Sequence, residues 1–287
     1  MLAQRFRSEG TILSTSLTCI FWNVNGEDRT DLICRLVAQK ESDVIVLAES
    51  GSDRERLLQS LRADVGSAFQ QPVATVDRFQ IFARGHEMDL RETYGDVSGR
   101  VSIRILKMAG AEFLLAAVHL QSRANLDGQD QLAEATVLAD AIRREEKLRG
   151  HERTVVVGDF NMNPFDSGVV AANGFHAMMT RAAVSGGTRT VQGRQYPFFY
   201  NPMWGFFGDR TPGPAGTIYY RRPGQISYDW DMFDQVLIRP AALPWFQGEV
   251  EIVTEIGEVS LLKENGRPDP DVGSDHLPIV FCLRTAE

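Results

Sequence analysis

The stretch Thr154-Val155-Val156-Val157-Gly158-Asp159-Phe160-Asn161-Met162-Asn163-Pro164 decides how the rest of the chain is read. Its first four residues are all β-branched, the composition of a short buried strand. At Gly158 the run stops, and a carboxylate and two carboxamides follow before Pro164. Polar groups on a rigid strand end are where α/β proteins tend to build their sites, because strand ends lie together on one rim of a sheet.

Working outward, the same punctuation recurs. Cys19-Ile20-Phe21-Trp22 ends in Asn23-Val24-Asn25-Gly26, and Val44-Ile45-Val46-Leu47-Ala48 ends in Glu49. Leu114-Leu115-Ala116-Ala117-Val118 ends in His119, and Gly273-Ser274-Asp275-His276 leads into a further apolar run. One acidic residue after a strand means little. Five such endings, together carrying carboxylates, carboxamides and two histidines, exceed what capping requires.

Strands are expected over 18–22, 44–48, 79–83, 101–105, 113–119, 154–157, 233–238 and 279–283. Between them, Leu32, Ile33, Leu36 and Val37 recur at helix spacing behind Asp28 or Thr30 as cap. A short helix is expected over 53–61 and a long one over 129–149. The long one presents Leu132, Ala135, Leu138, Ala139 and Ile142 on one face, with Gly150 as its stop. Asp166 is placed to cap one more turn. Strands and helices alternate irregularly, which points to α/β architecture with mixed sheets in one domain over 1–287.

The residue types suit one chemistry. Carboxylate and carboxamide oxygens are hard ligands of the kind Mg²⁺ or Mn²⁺ takes, commonly one or two carboxylates plus phosphate. Phosphoryl transfer needs positioning, charge stabilisation and a group to deprotonate water, roles that Asp, Asn, Glu and His fill. Cys19, Cys34 and Cys282 match no zinc spacing and no disulfide framework, and read as buried reduced thiols suited to the cytoplasm. A net charge of −8 argues against strong non-specific duplex binding, though not against a local basic patch. No run approaches the length of a membrane span, so no stable membrane association is expected.

The set WNVNG (22–26), Glu49, HLQSR (119–123), GDFNMNP (158–164), FDQVLI (233–238) and GSDHLPI (273–279) resembles the endonuclease/exonuclease/phosphatase superfamily, in the family's order. The resemblance implies a four-layer α/β sandwich, two packed mixed β-sheets flanked by helices. It implies a divalent-metal-dependent phosphodiesterase working by in-line attack of water. Under it Glu49 is the principal metal ligand, with Asn25 and Asp275 beside the ion. Asp159 orients or deprotonates the water, Asn161 bonds the phosphoryl group, and Asn23 binds phosphate or holds Asp159. His276 contacts a non-bridging oxygen or acts as acid or base, with Asp234 fixing its tautomer. His119 is a phosphate contact or the acid for the leaving group.

The chain also departs from the pattern. Asn25 stands where some nuclease branches carry Asp. His119 stands near where the abasic-site branch carries Tyr, and no Trp directly precedes the Asp234 motif, so that specialised role is not expected. The GNH and GHxH elements of a different metallophosphoesterase family are absent.

The stretch 188–230 reads as a long specificity loop, dense in Gly, Pro, Arg and aromatics. Arg221, Trp204 and Tyr228 there, with Arg123 of the HLQSR motif, are the expected substrate contacts. Arginine beside aromatics suits stacked bases of DNA or RNA. The substrate expected is therefore nucleic acid. A small-molecule, nucleotide or lipid-headgroup phosphate is the alternative, and a catalytically silent binding module is disfavoured by the intact set of site residues.

Overall fold

The computed structural model describes residues 16–85, 90–108, 110–122, 127–208, 210–221, 229–248 and 250–284. Strand β1 (Ser16–Asn23) crosses through helix α1 (Thr30–Gln39) into the parallel strand β2 (Val44–Ala48). The carboxylate of Asp28 accepts from the Thr30 amide at 3.1 Å as α1 begins, and Ile33, Leu36 and Val37 turn inward at the expected spacing. Helix α2 (Arg54–Ser60) starts where Asp53 accepts from the Arg56 amide at 2.8 Å. Strands β3 (Phe69–Gln70) and β4 (Phe79–Arg84) follow, β4 lying antiparallel to β2.

Strands β5 (Glu92–Gly95), β6 (Val101–Met108) and β7 (Ala111–His119) form an antiparallel meander. Helix α3 (Gly128–Arg149) then returns the chain to β8 (Thr154–Asp159), parallel to β7. Asp127 caps α3, and Gly150 closes it at φ 71°, a left-handed conformation that costs glycine little. Helix α4 (Ser167–Val170) starts after Asp166, and β9 (Ala177–Met178) follows.

The stretch 188–230 is not one loop. Strands β10 (Thr188–Val191) and β11 (Arg194–Pro197) form a hairpin about Gln192 and Gly193, at φ 49° and 78°. Two successive positive φ values suit the tight turn that matches strand twist. Strand β12 (Phe199–Tyr200) joins a large sheet, Pro202–Phe206 makes a 3₁₀ turn, and β13 (Ile218–Tyr219) pairs with β14 (Trp230–Asp231). The strands are two to four residues long, and only the β10–β11 hairpin faces solvent, so each is too short for an apolar alternation to announce it.

Strand β15 (Asp234–Ile238) is followed by β16 (Val250–Ile252), the small pair β17 (Glu255–Ile256) and β18 (Val259–Ser260), and β19 (Ile279–Arg284). One sheet has the order β16-β19-β1-β2-β4-β3 and the other β5-β6-β7-β8-β15-β12-β9.

The layering follows from the two-residue period of a strand. Leu115, Ala117, Val155, Val157, Val236 and Ile238 enter the core shared with the first sheet. The intervening Leu114, Ala116, Val118, Val156 and Leu237 pack instead with Ala135, Leu138, Ala139 and Ile142 of α3. With α1 and α2 closing the first sheet, two mixed sheets lie between helices. Cys19, Cys34 and Cys282 are free and buried. Among the described residues no helix is long and apolar enough to cross a membrane.

Candidate active site

Continued to the strand ends, the same alternation makes the site. His119 lies directly opposite Asp159 across β7 and β8, and Asp159 directly opposite Asp234 across β8 and β15. All three share the parity of Ala117, Val157 and Val236, so their side chains emerge on the face turned toward the first sheet. Gly158 permits this approach: a Cβ there would come within 1.9 Å of the Val118 carbonyl oxygen.

The first sheet supplies the other half. Asn23 ends β1 and donates from Nδ2 to Asp159 Oδ2 at 3.1 Å. The 273–276 segment is tied to it, since Ser274 Oγ donates to the Asn23 carbonyl at 2.8 Å and Trp22 Nε1 donates to the His276 carbonyl at 2.9 Å. The loops after β1 and β2 are zipped together by Gly26 N donating to the Glu49 carbonyl (2.7 Å) and Gly51 N to that of Glu27 (3.2 Å). Asn25, Glu49 and Asn161 all take left-handed backbone, at φ 49°, 48° and 49°. Such conformations cost about 1–3 kcal/mol where a side chain does not favour them, and they gather at functional sites.

Asp159 is 1% exposed. Its Oδ2 accepts from both carboxamides, Asn161 lying at 3.2 Å, and its Oδ1 accepts from the Asn161 amide at 2.8 Å. Burial pushes its carboxyl above the ordinary range, opposed first by the charge of His276. His276 Nδ1 stands 2.8 Å from Asp234 Oδ2, while Thr217 Oγ1 accepts from the Asp234 amide at 3.1 Å. Burial alone would depress the His276 imidazole, but Asp234 foremost, with Asp159 and Asp275, pushes it up to about 10. His276 is therefore an imidazolium at neutral pH.

His119 Nε2 lies between two carboxylates, 3.1 Å from Glu49 Oε1 and 3.7 Å from Asp159 Oδ2. Its hydrogen bond is the main cause holding the Glu49 carboxyl below its usual range. Arg100 Nη1 donates to the His119 carbonyl at 3.1 Å and its Nε sits 3.4 Å from Glu134, fixing the end of β7 from behind.

The donor set fits a hard divalent cation. Ligand atoms of Asp159, Asp234 and His276 lie within 4.8 Å of one another. Asp234 Oδ2 and His276 Nδ1 are already engaged with each other, and Asp234 Oδ1 is buried with no hydrogen-bond partner among the described residues. Of the expected metal residues, Glu49 offers a 41% exposed carboxylate, Asn25 is exposed, and Asp275 is half-buried with Oδ1 3.2 Å from Ser274 Oγ. The tightest cluster thus differs from the expected set, and oxygen donors dominate both.

The expected substrate contacts are more dispersed. Trp204 packs edge-on to Phe165 and Phe207, the first of which directly follows Pro164, at centroid distances of 6.0 and 5.9 Å. Arg221 is exposed, with Nε 3.9 Å from Asp229. Arg123 and Tyr228 lie outside the described residues. Thr217 escaped sequence reading altogether. So did the buried pair of Asn163 Nδ2 and Asp231 Oδ1, 2.6 Å apart, which with Met232 N donating to Asn163 Oδ1 (2.7 Å) anchors the turn after β8. The second carboxamide in GDFNMNP was the available signal.

A model of the Endonuclease/Exonuclease/phosphatase family matches residues 20–276. No curated protein matches the chain. Among solved structures, D. rerio TDP2 complexed with single strand DNA product is similar at a TM-score of 0.58 and 18% identity, over 95% of this chain and 100% of that one. An endonuclease/exonuclease/phosphatase family protein from Bacteroides thetaiotaomicron is similar at 0.56 and 15%, over 95% and 99%. The endonuclease domain of TRAS1, a telomere-specific non-LTR retrotransposon, is similar at 0.52 and 13%, over 94% and 100%. At these identities the likeness speaks for the fold.

Proposed function

The chain belongs to the endonuclease/exonuclease/phosphatase family, and from that premise we propose that it is a magnesium- or manganese-dependent nuclease that hydrolyses phosphodiester bonds of DNA or RNA. The observation that carries this reading is the row His119, Asp159, Asp234, completed by Asn23 and His276 from the facing sheet.

Two groups in this row have opposite tasks, and their surroundings set them apart. Asp159 is held rigid by two carboxamides and a backbone amide, placed to orient water and accept its proton. His276 carries positive charge through neutral pH and is suited to a non-bridging phosphoryl oxygen, where charge gathers as water oxygen bonds to phosphorus and the leaving oxygen departs. Asp234 holds the His276 ring in place, and His119, between Glu49 and Asp159, is placed to contact the phosphate or the leaving oxygen. Glu49, with Asn25 and Asp275, would hold the cation, which supplies charge against the phosphoryl oxygens and acidifies water.

Nucleic acid is favoured as substrate by the arginine-and-aromatic character of 188–230, and a similar fold, TDP2, is described with a single-strand DNA product. Trp204 beside the turn after β8 and exposed Arg221 are the residues assigned to substrate. The test is hydrolysis of labelled single- and double-stranded DNA, RNA and bis(p-nitrophenyl) phosphate with Mg²⁺, Mn²⁺ or EDTA, with Asp159→Asn as the blank. Metal-dependent cleavage of a nucleic acid, absent in the variant, is expected. Cleavage of the small diester alone would move the assignment to a small-molecule or lipid-headgroup phosphate.

A further inference from the structure

A cavity of about 610 Å³ opens beside Glu49, walled by Arg54, Arg78, Gln80, Asp96 and Gly99. It lies between the loop after β2, the entry to β4 and the turn from β5 to β6. The β2–β4 register ends at Ala48 opposite Phe79. Glu49 and Arg78 flank this last pair, and both line the cavity. Arg78 is among the charges holding the Glu49 carboxyl low.

The charges of this cavity are unequally committed. Arg54 is spent, its Nη1 3.2 Å from Asp77 Oδ1 and its Nη2 donating to the Asp77 carbonyl at 2.7 Å. Asp96 is spent as well: Oδ1 accepts from the Val101 amide at 2.7 Å, and Oδ2 accepts from the Ser98 amide at 3.1 Å and from its hydroxyl. Arg78 makes no hydrogen bond or ion pair among the described residues, and it is exposed. An exposed guanidinium with no hydrogen bond among the described residues, beside the carboxylate that would hold the cation, is placed to take a phosphate through its fork.

We infer that this cavity is a second phosphate site, in which Arg78 binds the phosphodiester next to the one being cut in a polynucleotide. The inference rests on the nuclease reading of the neighbouring row. It makes the cavity a selector for chains over single phosphoesters, since a substrate with one phosphate leaves it empty.

Binding is measured in the Asp159→Asn background, so that cleavage does not intrude, by fluorescence anisotropy of fluorescein-labelled hexathymidylate across a salt series. Adding Arg78→Ala is expected to weaken binding about tenfold and to lower the slope of log Kd against log salt by about 0.7, the share of one phosphate contact on a single strand. Arg78→Lys should recover most of the slope and only part of the affinity, because it keeps the charge and loses the fork. With Asp159 restored, Arg78→Ala should lower the oligonucleotide-to-diester ratio of kcat/KM by a similar factor.

A slope unchanged by Arg78→Ala, in a protein whose parent cleaves nucleic acid, would overturn the inference and leave the nuclease reading standing. Absence of hexathymidylate binding to the Arg78-bearing protein would overturn the inference, while the nuclease reading stands or falls on the cleavage panel. Arg78-dependent displacement of the label by inositol 1,4,5-trisphosphate at lower concentration than by unlabelled hexathymidylate would overturn the polynucleotide source.

Discussion

Asp234 Oδ2 stands 2.8 Å from Nδ1 of His276, and both side chains are buried where the two sheets meet. Asp234 comes from the second sheet and His276 from the segment leading into β19 of the first, so the bond also fixes one sheet's rim against the other's. A carboxylate on Nδ1 selects the ring orientation and stabilises the imidazolium. Asp234→Asn keeps the shape, removes the charge, and lets the amide offer a donor to Nδ1. A fall in kcat of about 10²–10⁴-fold with metal present is expected, the range for a disrupted acid–base or charge-stabilising group. Steady-state kinetics on the best substrate checks it, and a loss smaller than fivefold would sink the role.

The pH dependence has a definite sign. His276 is raised in the folded protein from about 6.5 to about 10, so folding favours its protonated form. Its contribution to stability is complete below about pH 6.5 and is lost as pH rises through about 10. In EDTA, the stability gap between the wild type and His276→Gln should therefore narrow between pH 7 and pH 10, measured by urea denaturation. Activity should share an alkaline limb, and Asp234→Asn should move that limb toward neutrality. A gap that widens with pH would contradict the assignment of charge.

Glu49 contributes its exposed carboxylate at the end of β2, held there by left-handed backbone and by the hydrogen bond with His119. Chelation should abolish turnover, and Mg²⁺ or Mn²⁺ should restore it. Glu49→Gln keeps the backbone and the size but removes the charge, so the metal concentration for half-maximal activity should rise by about 10–100-fold, a range in keeping with lost ligand-sphere contacts. An activation curve that coincides with the wild type would move the metal to the cluster of Asp159 and Asp234.

The parts of the site that the sequence announced were those at the ends of long apolar strands. Val155 to Val157 and Leu114 to Val118 are buried on both faces, so their boundaries are sharp and the polar residue that follows is conspicuous. The joining of these ends was less visible. His119 meets Glu49 from the opposite sheet, 70 positions away in the chain, and no local pattern encodes that contact. The stretch 188–230 hid its strands because they are only two to four residues long, and the Gln192-Gly193 turn lacks the Asn or Asp that usually marks such hairpins. Thr217 was silent for a different reason: it is buried, and its hydroxyl reaches a backbone amide 17 residues ahead, a contact no local pattern encodes.

Thr217 gives the last prediction. It is fully buried; its Oγ1 accepts from the Asp234 amide at 3.1 Å and its carbonyl accepts from the Leu277 amide at 2.8 Å. One residue thus ties the start of β15 to the residue after His276. Thr217→Val preserves shape and removes the acceptor, leaving the buried Asp234 amide without that partner, which costs about 1–3 kcal/mol. Stability alone would not distinguish packing from positioning, because any buried change lowers it. The distinguishing readout is the alkaline limb set by His276. If Thr217 positions Asp234, Thr217→Val should lower both kcat and the pH of that limb, and Thr217→Ser should restore both while leaving the cavity of the lost methyl. Restoration of neither by Thr217→Ser, or a fall in stability with an unmoved limb, would reduce Thr217 to a packing residue.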